Sequence, residues 1–169
     1  MPTIPSVPIS LVVLTYNEEL NLPRLLQSVH GQVDEIIVID SFSTDKTCDI
    51  ASAYGCRVHQ HPFENQAKQF NWALDNIPIQ NDWVLRLDAD EALASDFRHR
   101  VATALQSAPT DANGFYLRRR LCFMDRWMKH GGIYPKWILR LFRKDVGRYE
   151  DTTEEHLVLH RGRAVRLDA

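Results

Sequence analysis

An α/β domain with a mainly parallel, mixed sheet is the fold class this sequence predicts, and three observations predict it. Short apolar runs at Ile9 to Thr15, Glu35 to Asp40 and Asp82 to Leu87 have the near-continuous hydrophobicity of strands buried on both faces. Between the first two, apolar residues recur at helical spacing, as at Leu22, Leu25, Leu26 and Val29. The order strand, helix, strand then repeats, and right-handed crossovers of this kind lay successive strands parallel in one sheet.

The elements follow in order. Ile9 to Thr15 is a central strand, and the helix after it has Asn21 as its expected cap and Pro23 in its first turn. Glu35 to Asp40 is the second strand. Ser43 or Thr44 is expected to cap a helix running to about Tyr54, before a short strand at Arg57 to Gln60 and a turn at Pro62. Ala67, Phe70, Asn71 and Leu74 mark the next helix face, and the strand from Asp82 ends at Asp88. Ser95 is expected to open a helix whose inner side is Phe97, Val101, Ala104 and Leu105. Beyond Asn113 the pattern shortens to aromatic-rich strands at Phe115 to Arg119, Ile138 to Arg143, His156 to His160 and Ala164 to Leu167. A chain of 169 residues buries roughly 70% of its unfolded surface, enough for one core. A single domain over 1–169 is therefore expected, with a subdomain change between about 9–112 and 113–169.

Hydrophobic residues at 44% and charged residues at 25% exclude the disordered and fibrous classes. No apolar run reaches the ~20 residues of a spanning helix, and Met1 to Pro8 lacks the apolar core of a signal peptide. These features lead to the expectation of a soluble, cytoplasmic protein, with peripheral contact to an anionic membrane left open. Cys48, Cys56 and Cys122 lack the paired spacing of zinc or redox motifs, and His156 and His160 lack the Glu of a zinc protease helix. The net charge of −2 conceals a segregation: Gly114 to Lys144 carries nine Lys/Arg and one acid. Such a basic stretch among acidic neighbours points to an anionic partner. Its arginines alternate with Phe123, Trp127, Tyr134 and Trp137, a mixture suited to sugar stacking, phosphate binding or an anionic lipid surface. No RNA-binding signature accompanies it, so nucleic acid is not the expected partner.

Ligands of an open parallel sheet bind beyond the carboxyl ends of its strands. Three strands here end in polar residues: Thr15-Tyr16-Asn17-Glu18, Asp40-Ser41-Phe42-Ser43-Thr44-Asp45 and Asp88-Ala89-Asp90-Glu91. On an extended end, Asp88 and Asp90 point the same way, about 7 Å apart at Cα. Two such carboxylates suit one hard cation, Mg2+ or Mn2+, bridged to substrate phosphates. Glycine-rich nucleotide loops of the dinucleotide-binding and ATPase types are both missing.

T-Y-N-E, I-I-V-I-D-S-F-S-T-D-K-T and W-V-L-R-L-D-A-D-E, in this order and on these strand ends, resemble the family 2 glycosyltransferases. The resemblance runs from about Ile9 to Leu167 and is strongest to the bacterial subset that adds sugars to lipopolysaccharide cores and related envelope glycans. It implies a GT-A fold of three α/β/α layers, a nucleoside-diphosphate-sugar donor such as a UDP-sugar, and transfer with inversion to a hydroxyl of a glycan or glycolipid. It also assigns roles. Residues 9–112 become the donor half and 113–169 the acceptor and base half. Thr15, Asn17 and Glu18 lie along the nucleotide, Asp40 accepts from the base, Asp88 approaches the ribose or the metal, and Asp90 binds the metal. Lys68 stands where similar enzymes carry a basic residue near the nucleotide, though it equally fits a solvated helix lysine. Glu155, two residues before a leucine, matches the family's catalytic carboxylate; Glu154 replaces the usual histidine and keeps the register open. Arg140 or Arg143 faces the diphosphate, and Trp137 stands on the acceptor side. Two other functions remain open: a sugar-phosphate nucleotidyltransferase, and a non-catalytic nucleotide-sugar-binding module.

Overall fold

The computed structural model describes residues 7–120, 122–123, 126–127, 136–150 and 156–167. In chain order the elements are β1 (Ile9–Thr15), α1 (Leu22–Val29), β2 (Glu35–Asp40), α2 (Thr47–Ala53), β3 (Arg57–Gln60), α3 (Gln66–Asn76), β4 (Trp83–Asp88) and α4 (Phe97–Ser107). They continue with β5 (Ala112–Arg119), β6 (Cys122–Phe123), β7 (Arg126–Trp127), β8 (Lys136–Arg143), β9 (Gly147–Tyr149), β10 (Leu157–Leu159) and β11 (Arg163–Arg166). Seven strands form one sheet in the order β11-β5-β8-β4-β1-β2-β3.

The first four strands pair in parallel around β1, as the alternation of strands and helices requires. β8 runs antiparallel to both β4 and β5, while β11 is parallel to β5. The sheet is therefore mixed, and the antiparallel strand has a positional effect. Because Trp83 pairs with Arg143, β8 begins at the edge where β4 ends. The carboxyl ends of β1, β2, β4, β5 and β11 and the amino end of β8 thus share one edge.

Strand alternation supplies a core on each face of the sheet. Leu11, Val13 and Leu85 pack with Leu22, Leu26 and Val29 of α1 and with Phe97 and Val101 of α4. Val12, Ile37, Ile39 and Val84 pack on the other face with Phe70 and Ala73 of α3 and with Phe142. The α1 side chains Leu22, Leu25, Leu26 and Val29 are at most 1% exposed, and each contributes about 1.5–3 kcal/mol by burial. β9 and β10 form a separate antiparallel ribbon against α3, where Asn71 and Tyr149 exchange two hydrogen bonds of 2.8 and 2.9 Å.

Asn21 stands at the N-cap of α1 as expected but without the capping bond, and two other helix starts differ from expectation. Asn21 makes no side-chain cap; its amide donates to the Glu18 carboxylate at 2.9 Å. α2 begins at Thr47 rather than after Ser43 or Thr44, because both residues are drawn into bonds with Asp40 and Asn17. α4 begins at Phe97, and Asp96 ahead of it pairs with Arg100 at 2.7 Å instead of capping. Among the described residues, no helix is long and apolar enough to cross a membrane.

Candidate active site

The loops after β1 and β2 are laced together, starting from the paired strand ends Thr15 and Asp40. Asp40 is fully buried. Its Oδ1 accepts from the hydroxyls of Thr15 at 2.9 Å and Ser43 at 2.5 Å, and its Oδ2 from the Ser43 amide at 2.8 Å and Gln60 at 3.2 Å. The Ser43 hydroxyl in turn accepts from the Asn17 amide, and Asn17 Oδ1 accepts from the Thr44 amide. Further along, Glu18 N–H donates to Thr47, Glu19 N–H to Asp45, and Lys46 N–H to Glu19. The two loops therefore form one rigid unit, which leaves Tyr16 and Phe42 exposed on it at 61% and 53%.

Burial pushes the Asp40 carboxyl up, but the bonds from Ser43, Gln60 and Cys48 outweigh it and hold the group below its ordinary range. Burial, and then the Asp40 carboxylate, push the neighbouring Cys48 thiol up to about 11, so Cys48 is an unreactive thiol rather than a nucleophile. Asp40→Asn is expected to cost about 2 kcal/mol, since an amide nitrogen would face donors that now meet a charged oxygen. The sign with pH follows from the lowered value: the contribution is complete above the ordinary carboxylate range and is lost as pH falls through the folded-state value. Urea unfolding at a series of pH values should show a gap between wild type and variant that is constant near neutrality and closes only in acid.

Asn17 and Phe42 both adopt left-handed backbone, at φ 54 and φ 59. Asparagine tolerates this conformation; phenylalanine does so at about 1–2 kcal/mol. Phe42→Gly removes that strain and gives back part of it as unfolded-state entropy, for an expected gain of up to about 1 kcal/mol. A denaturation midpoint at or below wild type would mean that the ring itself stabilises the loop.

At the end of β4 the charges are paired. Arg86, 3% exposed, donates to Asp88 Oδ1 at 2.6 Å and to Gln66 at 2.9 Å, with its guanidinium over the rings of Phe70 and Tyr149. Arg140, 7% exposed, donates to Asp88 Oδ2 at 2.9 Å and Glu91 at 3.0 Å, and Arg119 lies 3.4 Å from Glu91. Burial raises the Asp88 carboxyl, but Arg86 and Arg140 together bring it below its usual range. Burial likewise works against the Arg140 charge, and Glu91 and Asp88 reverse it, so Arg140 is held more firmly protonated. Arg86 Nε is buried without a partner among the described residues.

This cluster corrects the extended geometry expected after β4. The strand stops at Asp88, and Glu91 closes a turn, donating its N–H to the Asp88 carbonyl at 3.0 Å while its carboxylate accepts from Asp88 N–H at 2.9 Å. Asp90 therefore sits on an exposed turn instead of in strand alternation with Asp88. Among the described residues, no three His, Cys, Asp or Glu side chains converge as a metal cage. The donor set that remains is one exposed carboxylate, Asp90, beside the paired Asp88. That fits a Mg2+ or Mn2+ ion which takes most of its ligands from water and a substrate diphosphate.

The other expected site residues divide. Thr15, Asn17, Glu18, Asp40, Asp88, Asp90 and Arg140 lie at the shared edge. Lys68 is in the first turn of α3, where its amide is capped by Asn65 and its ammonium lies 2.6 Å from Glu64. Trp137 lies near the start of β8, with the guanidiniums of Arg118 and Arg166 over its ring at 6.0 and 5.2 Å. Arg143 does not reach the site. It ends β8 at the opposite edge, over Trp83 at 4.7 Å and beside Asp82, so the expectation that it faces a diphosphate is corrected. Glu154 and Glu155 lie outside the described residues. Sequence reasoning passed over Arg86, although an arginine within an apolar strand, two residues before Asp88 and hence on its face, was a visible signal.

The profile of glycosyl transferase family 2 matches residues 10–166. The chain belongs to that family. Among curated glycosyltransferases, a Rickettsia bellii protein described as an uncharacterized glycosyltransferase is 36% identical over 146 residues, covering 85% of this chain and 49% of the relative. The lipopolysaccharide core biosynthesis glycosyltransferase LpsC of Rhizobium meliloti is 28% identical over 158 residues, covering 90% of this chain and 57% of LpsC. The chain thus spans about half the length of these relatives. Residues 1–349 of S. aureus TarS in complex with UDP superpose with a TM-score of 0.64 at 20% identity, over 82% of this chain and 47% of that one. Glucosyl-3-phosphoglycerate synthase from Mycobacterium tuberculosis, in complex with Mn2+, UDP and glucosyl-3-phosphoglycerate, gives 0.51 at 25% identity, over 66% and 43%. The fold of this family 2 glycosyltransferase chain is GT-A.

Proposed function

We propose that this chain binds a nucleoside-diphosphate-sugar, in the form of a UDP-sugar, and transfers the sugar with inversion to a hydroxyl of a bacterial envelope glycan or glycolipid. The observation that carries the reading is the gathering of Thr15, Asn17, Asp40, Asp88 and Asp90 on two laced loops and one turn at the carboxyl edge of the sheet. The UDP complexes of TarS and of the phosphoglycerate glucosyltransferase support the donor, and the role named for LpsC supports the acceptor class.

The residues divide the work. Asp40 meets the base by exchanging its longest bond, the 3.2 Å contact with Gln60, while Thr15 and Ser43 keep the carboxylate aligned. Asn17 and Glu18 border the nucleotide, and Lys68 flanks it. Asp88, fixed by Arg86 and Arg140, faces the ribose as a rigid acceptor. Asp90 would hold Mg2+ or Mn2+, which would supply positive charge to neutralise the diphosphate leaving group. Glu155, with Glu154 beside it, removes the proton of the acceptor hydroxyl as its oxygen bonds to the anomeric carbon and UDP departs. Residues 1–169 act as one unit in this scheme, at the cytoplasmic face of the membrane.

The test is UDP release from a panel of UDP-sugars with Mn2+, with Mg2+ and with chelator. Metal-dependent release supports transfer. Pyrophosphate formed from a nucleoside triphosphate and a sugar phosphate would replace this reading with nucleotidyl transfer, and UDP-sugar binding without release would make the chain a binding module.

A further inference from the structure

Arg86 occupies a place where an apolar side chain would serve the fold better. Val84, Arg86 and Asp88 alternate onto the face of β4 that packs on α3, and Val84 belongs to the apolar core there. Burying a guanidinium whose Nε finds no partner among the described residues costs stability that a leucine would not lose. The contacts of Arg86 join three elements. Nη1 donates to Asp88 Oδ1 at 2.6 Å, Nη2 donates to Gln66 at the start of α3 at 2.9 Å, and the guanidinium lies 5.4 Å from the ring centroid of Tyr149 in β9. Tyr149 is itself held, since Asn71 of α3 bonds its N–H and its carbonyl and its ring meets Phe70 edge-on at 5.3 Å. The ribbon of β9 and β10 pairs as far as Tyr149 with Leu157, and Glu150 N–H then donates to the His156 carbonyl at 2.9 Å. Residues 151–155, with Glu154 and Glu155 among them, join the two strands.

We propose that Arg86 is a positioning residue that holds Asp88, the carboxylate facing the donor, and the β9–β10 ribbon, which leads into the base-bearing segment, in one fixed relation. The inference rests on the transfer reading above and adds a residue that acts through two others. The guanidinium divides the task among its parts. Nη1 fixes one oxygen of Asp88 while Arg140 holds the other, so the carboxylate cannot turn. Nη2 and the face over Tyr149 tie the same group to α3 and β9. Arg140 makes no such link, because its hydrogen bonds to Asp88 and Glu91 both go to the turn after β4. Lysine could reach Asp88 as a point charge, but it has neither a planar fork for Gln66 nor a flat face for Tyr149. Transfer depends on this relation far more than nucleotide affinity does, since a misplacement of about 1 Å between reacting groups can cost roughly 100-fold in rate.

Arg86→Lys separates holding Asp88 from holding the ribbon. Calorimetry in Mn2+ is expected to give a UDP affinity within about threefold of wild type. With the UDP-sugar of the panel that turns over fastest, kcat should fall at least about tenfold while KM stays within about threefold. Tyr149→Leu breaks the same link from the other side and should lower kcat alike, and the double variant should be no slower than the slower single one. Hydrogen exchange of the ligand-free protein reads the link without turnover. Amides of β9 and β10 should exchange at least about tenfold faster in Arg86→Lys, with those of β1 and β2 unchanged. Unaltered exchange in the ribbon, or losses that multiply in the double variant, overturns the proposal. A UDP affinity that falls in proportion to kcat also overturns it and assigns Arg86 to Asp88 alone. Wild-type protein that releases no UDP removes the transfer reading, and the exchange comparison still decides whether Arg86 holds the ribbon.

Discussion

Replacing Arg140 with methionine is expected to destabilise the protein by about 2–3 kcal/mol, because it removes the cation shared by Asp88 and Glu91 and leaves Arg86 and Arg119 as their remaining counter-charges. Methionine fills much of the same volume, so lost packing is a minor part of the effect. The pair of carboxylates is the greater part: Glu91 also closes the turn after β4, and with only Arg119 left at 3.4 Å to offset it, Glu91 is repelled by Asp88. Urea unfolding at neutral pH measures the loss. Adding Glu91→Gln should recover part of it, since the repulsion disappears while buried Arg86 keeps its partner Asp88 and the Gln oxygen can still accept from Asp88 N–H, and a double-mutant cycle returns the coupling. Simple additivity of the two substitutions would show that Arg140 stabilises through its stem and not through its charge.

Asp90→Ala is expected to lower metal-stimulated UDP release by about 100- to 1000-fold. The fold should be untouched, within about 0.5 kcal/mol, because the residue is exposed on a turn held by Asp88 and Glu91. The decisive readout is separate from turnover. In the wild type, Mn2+ should strengthen UDP binding in calorimetry, and in the variant that enhancement should vanish while metal-free UDP affinity stays the same. A variant that keeps the Mn2+ enhancement would move the ion to Asp88 or to the diphosphate alone.

Much of the architecture was legible because burial on both faces writes long apolar runs. Ile9 to Thr15 and the residues from Trp83 to Asp88 are strands for that reason, and α1 follows from the spacing of Leu22, Leu25, Leu26 and Val29. What the pattern could not show is where a strand stops obeying its period. Asp88 and Asp90 read as same-facing residues, but Glu91 folds the chain back at once, and that depends on one long-range arrangement with Arg140 and Arg119. Ser43 and Thr44 have the chemistry of helix caps, and their oxygens and amides were claimed by partners 26 and 27 residues away. Arg143 and Arg140 look equivalent in sequence. Only the antiparallel direction of β8 separates them, one at the crevice and the other at the far edge. Phe42 stands at a backbone position that suits glycine or asparagine, and nothing in S-F-S-T-D announces this.

The reversed direction of β8 gives the molecule a natural place for variation. Arg119 at the end of β5 and Lys136 at the start of β8 pair with each other on the crevice side, so the register of Gly114 with Phe142 and of Trp83 with Arg143 is set inside the sheet and does not depend on what joins these two strand ends. Related chains can therefore differ between these two strand ends and still keep the same sheet and the same nucleotide-holding loops.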